Sequence, residues 1–255
     1  MNIVVPIKQI PSLVDEIELN SDGNGLDEDS LTFVTNEFDE HAVEQAVLIK
    51  EAGGGTVTVV GIDTTEEMEG ALHTALAKGA DKVAMIPFDY APELASSIQA
   101  KILANAISGM SADLVLTGVQ AADDRTGNIG PMLAAHLGMP YVGVVAGIKV
   151  NGGKATIHKE YSGGIVAEFE VELPVVVGIQ AAEQPPRYAP ISKIRQMAKE
   201  ADVEELDADD GGASAGSSVS KMYAPESGGG AEMLGDDADA VVEKIYEILS
   251  ERGLL

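Results

Sequence analysis

Short β-branched, apolar runs alternate with longer stretches whose apolar residues recur at helical spacing, and this alternation constrains the chain most. Residues 3–7 are uniformly apolar, 56–61, 82–86 and 114–117 are predominantly so, and each reads as a strand. Between them, 38–52 places Ala42, Val43, Ala46, Val47 and Ile49 on one helical face. Further helices are expected over 65–77, 92–108 and 132–137. A strand–helix–strand order of this kind folds as a parallel sheet covered by helices. Ligands of such sheets sit at the carboxyl ends of the strands.

The second half is more β-rich. Residues 141–150, 155–160 and 166–172 read as strands separated by Asn151-Gly-Gly153 and Ser162-Gly-Gly164. Residues 174–179 are apolar and suited to closing the sheet. Near the amino end, 16–19 and 31–34 flank the turn signal Asp22-Gly-Asn-Gly25 and are expected to form a hairpin insert. The domain organisation expected is a 1–200 α/β unit, a 201–230 acidic, Gly/Ser-rich linker and a 231–255 docking helix. In the last segment Ala240, Val241, Ile245, Ile248 and Leu249 share one side.

Composition excludes several functions. Without cysteine the chain has no disulfide, no thiolate nucleophile and no iron–sulfur ligand of its own. The four histidines are scattered without zinc spacing, so no metal site and no catalytic set is expected. There is no Gly-x-Ser-x-Gly elbow and no Walker Gly-Lys-Ser/Thr. The net charge of −26 argues against nucleic acid. It is spread along the chain, which suits a surface adapted to high salt or an ordinary acidic protein. No apolar run approaches the ~18 residues of a membrane span, and residues 1–8 read as a strand rather than a leader, so a cytoplasmic protein is expected.

What remains is the segment 118–131, Gly-Val-Gln-Ala-Ala-Asp-Asp-Arg-Thr-Gly-Asn-Ile-Gly-Pro, lying between a strand and a helix. Its backbone N–H groups and the start of the next helix can hold an anionic phosphate. Gly127 and Gly130 permit close approach of a ligand, and Thr126 and Asn128 offer hydrogen bonds. Asp123 and Asp124 suit ribose hydroxyls or a cap, and would repel phosphate directly. The residues alone serve equally well as a ligand-free, Asx-rich helix cap.

Taken with Ile7-Lys8-Gln9, with 36–44 (Asn-Glu-Phe-Asp-Glu-His-Ala-Val-Glu) and with Pro186-Arg-Tyr-Ala189, this loop resembles the beta subunit of electron-transfer flavoproteins. The matching stretches span 1–200 in the family's order. The resemblance implies an adenine-nucleotide-hydrolase-like, Rossmann-like α/β sheet. It implies pairing with an alpha subunit that carries the redox FAD, and AMP in the beta chain, or a second FAD in bifurcating members. By motif, the nucleotide site would comprise Pro6, Asn36, Glu37, Phe38, Asp39 and Asp63. From the loop it would add Ala121, Ala122, Asp123, Asp124, Arg125, Thr126, Gly127, Asn128, Ile129, Gly130, Pro131 and Met132. Asn36 also suits a helix cap.

The loop near 184–194 would dock redox partners through Arg187, Tyr188, Ala189, Pro190 and Ile191, with Ile191 as an apolar anchor or, alternatively, a helix staple. The partners implied are acyl-CoA or other dehydrogenases as donors and a quinone reductase or another acceptor. The loop is a hybrid: Asp124 resembles the AMP-binding type, while Thr126 and Gly127 resemble the bifurcating type. An electron carrier with AMP is favoured, a bifurcating subunit that binds FAD and serves NADH oxidation comes next, and a stand-alone nucleotide sensor comes last.

Overall fold

The computed structural model describes residues 1–255 apart from 90, 92, 93, 125, 208–218, 226, 227 and 232 and the side chain of Glu28. The chain begins with β1 (Asn2–Ile7), then β2 (Gln9–Pro11), β3 (Phe33–Thr35) and α1 (Glu37–Gly53). There follow β4 (Thr56–Asp63), α2 (Met68–Lys78), β5 (Lys82–Pro87), α3 (Ser96–Ser108), β6 (Leu114–Gly118) and α4 (Ile129–Leu137). Next come β7 (Tyr141–Val145), β8 (Gly147–Asn151), β9 (Lys154–Tyr161), β10 (Ile165–Glu172) and β11 (Val175–Ile179). The chain ends with α5 (Ile191–Glu200), β12 (Glu204–Glu205) and α6 (Ala238–Glu251).

Among the described residues, seven strands form one parallel sheet in the order β12-β5-β4-β1-β6-β11-β7. A sheet buried on both faces needs apolar residues at every position, and β1 meets that demand. Ile3, Val5 and Ile7 join the cluster under α1 and α2, while Val4 joins the one under α3 and α4. From β1 the chain winds outward through β4 and β5 to one side, then starts again at β6 on the other. The direction of winding therefore reverses between β1 and β6, which opens a crevice at their carboxyl ends.

Several elements lie elsewhere than sequence patterning places them. The amino-terminal hairpin pairs 9–11 with 33–35, not 16–19 with 31–34, and Leu19 and Leu26 form only an isolated bridge. The expected single strand over 141–150 is two strands in different sheets. The chain leaves the parallel sheet after Val145 and enters an antiparallel three-stranded sheet, β10-β9-β8. Val144, with φ +61°, sits at this break in a backbone region hostile to β-branched residues. β11 does not close the sheet: it inserts between β6 and β7, with all five of its residues buried, and β7 is the edge.

Helix starts also shift. α2 begins at Met68 rather than 65, α3 at Ser96 rather than 92, and α4 at Ile129 rather than 132. Within the stretch read as a linker, Glu204 and Glu205 add β12 beside β5. Residues 208–218, most of the Gly/Ser-rich part of that stretch, lie outside the described residues. α6 spans 238–251 and buries none of its residues.

Candidate functional site

The crevice between β1 and β6 is a cleft of about 570 Å³, measured to its open mouth. Pro6, Ile62, Leu103 and Ile129 give it apolar walls, and Asn36, Asp39, Gln99, Thr117 and Asp124 supply polar groups.

Its shape is set by the first turn of α1. Asp39 is buried, and its carboxylate accepts the backbone N–H of Lys8 at 2.9 Å and that of Gly118 at 3.0 Å. One side chain thus ties together the carboxyl ends of β1 and β6. Gly118 must be glycine here, because a Cβ would stand 2.3 Å from Asp39 Oδ1. Burial pushes Asp39 up to about 7, against the lowering pull of the Lys8 amide, Asn36, the Lys8 charge and the Gly118 amide.

Asn36 does not cap α1 with its side chain. Its amide nitrogen instead crosses the cleft and donates to the Gln120 carbonyl at 2.9 Å, while its backbone N–H donates to the Lys8 carbonyl at 3.0 Å. A cap position and a cross-cleft contact have the same sequence appearance, and the second wins here.

The acidic residues of the 118–131 loop are already engaged. Lys8 Nζ pairs with Asp123 at 2.6 Å. Asp124 accepts from Ser96 Oγ, at the start of α3, at 2.9 Å and from the Thr126 N–H at 3.2 Å. Both carboxylates are thereby bound to donors, which lessens the repulsion of an anion expected from the sequence. Gly127 has φ +65°, and a Cβ there would approach the Val119 carbonyl to 2.7 Å.

Of the residues expected at this site, Pro6, Asn36, Asp39, Ala121, Asp124, Gly127 and Ile129 line the cleft. Glu37, Phe38, Ala122, Asp123, Thr126, Asn128, Gly130, Pro131 and Met132 flank it in the same two segments without lining it. Asp63 turns to the start of α2, accepting the Met68 N–H at 3.3 Å, and its neighbours Ile62 and Thr64 line the wall instead. Arg125 lies outside the described residues. Lys8, Gln99, Leu103, Thr117 and Gln120 were not expected as lining residues. Thr117 carried a usable signal, as the one polar side chain ending an apolar strand.

The 184–191 loop is strapped to α1. Arg187 donates to Glu44 and Glu51, Glu183 N–H to Gln45 Oε1, and Ala182 N–H to His41 Nδ1. Ala189 is buried, whereas Tyr188 is 82% exposed and Ile191, the first residue of α5, 62% exposed. Among the described residues, no helix is long and apolar enough to cross a membrane.

Residues 24–211 match the family model described as the electron transfer flavoprotein domain. The chain belongs to the electron transfer flavoprotein family. It is 33% identical to the electron transfer flavoprotein subunit beta of Methylophilus methylotrophus, over 98% of each chain. It is 35% identical to the subunit beta of Syntrophomonas wolfei, over 78% of this chain and 77% of that one. The subunit beta of Bacillus subtilis is 31% identical, over 82% of this chain and 80% of that one.

Proposed function

We propose that this chain is the beta subunit of a heterodimeric electron-transfer flavoprotein, working in the cytoplasm with an alpha subunit that carries the redox FAD. Electrons from acyl-CoA or other dehydrogenases pass through that FAD to a quinone reductase or another acceptor. The chain is a carrier subunit rather than an enzyme with its own substrate. The observation that carries this reading is the cleft at the β1/β6 reversal, lined by Pro6, Asn36, Asp39, Ala121 and Gly127.

AMP is the nucleotide proposed for the cleft. Pro6, Ile62 and Leu103 give a flat base an apolar bed, and the 118–131 loop meets the phosphate with backbone N–H groups. Asp39 and Asn36 hold the two sides of the cleft at a fixed separation before anything binds. A nucleotide seated there stabilises the folded state by mass action. The strapped loop presents Tyr188 and Ile191 outward as apolar partner anchors.

The test is nucleotide extraction from the chain co-expressed with its alpha subunit, with released nucleotides measured by mass spectrometry. About one FAD and about one AMP per heterodimer is the expected result, as a filled stabilising site requires. Two FAD and no AMP, with NADH oxidation by the complex, would replace this reading with the bifurcating one. No nucleotide from this chain would leave the loop as a ligand-free helix cap.

A further inference from the structure

At the inner end of the cleft, Thr117 is 2% exposed, and its hydroxyl is buried without a hydrogen-bond partner among the described residues. Leaving such a group unpaired in an apolar setting is costly. The usual remedy is a partner that arrives with a ligand.

Its position says what kind of partner. Thr117 lines the cleft from the end of β6 and faces the first turn of α4. A Cβ on Gly130, the second residue of α4, would stand 2.9 Å from Thr117 Oγ1. That point also lies 2.8 Å from the Tyr141 ring, so the hydroxyl is packed between Tyr141 and the start of α4, and a ligand atom would reach it from the cleft that Thr117 lines. The amino end of α4 has no side-chain cap and no acidic residue in its first turn. Among the described residues no side chain caps that end, and its early N–H groups lack intrahelical acceptors.

An orphan hydroxyl and an uncapped helix start, side by side, form a seat for an anionic oxygen. We infer that the Thr117 hydroxyl donates a hydrogen bond to the phosphate of the nucleotide bound in the cleft, at the amino end of α4. This rests on the nucleotide reading above and adds to it a ligand contact outside the 121–132 loop. Thr117 is then a determinant of phosphate recognition, distinct from the apolar bed under the base.

The experiment is isothermal titration of the full-length chain, stripped of nucleotide and refolded, with AMP, FAD and adenosine, on wild type, Thr117→Val and Thr117→Ser. Valine keeps the shape and removes the hydroxyl, and serine keeps the hydroxyl. Thr117→Val is expected to weaken whichever phosphate-bearing ligand the wild type binds by about tenfold or more, since bonds to charged groups are the strong ones. Adenosine affinity should stay within about twofold, because it lacks the recognised group. Thr117→Ser should restore most of the loss. The ligand-free melting temperature of Thr117→Val should equal or exceed that of wild type, since an unpaired buried hydroxyl has been removed.

Equal phosphate-ligand affinity in Thr117→Val and wild type overturns this inference while the nucleotide reading stands. Equal losses of AMP and adenosine overturn the phosphate assignment. A wild type that binds none of the three overturns both.

Discussion

Arg187 grips Glu44 with its backbone and its side chain together. Its N–H reaches Glu44 Oε2 at 2.9 Å, Nε reaches the same oxygen at 3.0 Å, and Nη2 reaches Oε1 at 2.9 Å. Glu44 is only 4% exposed, so nearly all of its compensation comes from this one residue. Arg187 also donates to Glu51, which it holds below the usual carboxylate range. The loop that carries Tyr188 and Ile191 is thereby fixed to the middle of the helix whose first turn shapes the cleft.

Removing the arginine leaves a buried carboxylate unpaired. Arg187→Ala is expected to cost about 2–3 kcal/mol, less than a fully buried pair because Arg187 stays about a third exposed. Glu44→Gln should cost less, because an amide keeps one acceptor. Urea midpoints at constant m-value measure both, and a loss below about 0.5 kcal/mol for Arg187→Ala would show the strap to be incidental.

Asp39 makes stability depend on pH. Its carboxyl is raised from 3.8 to about 7 in the fold. A raised acid contributes stability that is full below its unfolded value and is lost as pH climbs through the folded one. The wild type should therefore lose stability between pH 5 and pH 8 more steeply than Asp39→Asn, by at most roughly 2.7 kcal/mol, about two pH units at about 1.36 kcal/mol each. Chemical denaturation of both proteins across that range decides the matter, and parallel curves would remove Asp39 as the cause.

Gly118 has no room for a side chain. Alanine there would place its Cβ 2.9 Å from the Asp39 backbone nitrogen as well as 2.3 Å from its carboxylate, so the start of α1 must shift. Gly118→Ala should cost about 1–3 kcal/mol, as overpacking does, and should weaken nucleotide retention as Asp39 leaves the Lys8 and Gly118 amides. Retention as in wild type, measured by extraction, would show that the cleft does not depend on this tie.

How much of this was legible follows from the range of each determinant. β1, α1 and β4 were readable because burial on a parallel sheet writes itself into local periodicity. The 118–131 loop was readable because a long Gly- and Asp-rich connection at a strand end is locally unusual. The division of 141–151 between two sheets was not, since Val142, Val145, Ile148 and Val150 look alike to any local pattern and only Val144's backbone marks the break. The insertion of β11 beside β6 is a matter of strand order, which apolar content does not encode. The cleft's central tie joins Lys8, Asp39 and Gly118, and nothing within one window of sequence pairs them.

The surface charge gives a prediction of its own. With 42 acidic and 16 basic residues, the folded chain repels itself in dilute buffer. Added salt shortens the Debye length from about 30 Å at 0.01 M to about 3 Å at 1 M, which relieves that repulsion. The melting temperature should therefore rise monotonically from 0.01 M to 1 M KCl. A flat or falling curve would show that local pairs such as Lys78–Glu40 and Lys50–Asp81 outweigh the net charge.

α6 separates stability from assembly. It is amphipathic, yet Val242 is 65% and Tyr246 64% exposed, and no residue of the helix is buried. A helix of this length without tertiary packing is marginal in water, so its apolar side needs another surface. Truncation after Gly235 should lower the stability of the isolated chain by no more than about 0.5 kcal/mol, because no buried contact is lost. Under the proposed role it should weaken association with the alpha subunit by about tenfold or more, since a few buried apolar side chains are each worth about 1.5–3 kcal/mol. Urea denaturation and titration calorimetry on the same truncated protein read the two effects separately. A large stability loss would mean that the helix packs on its own domain. Unchanged affinity would mean that its apolar side serves some partner other than the alpha subunit.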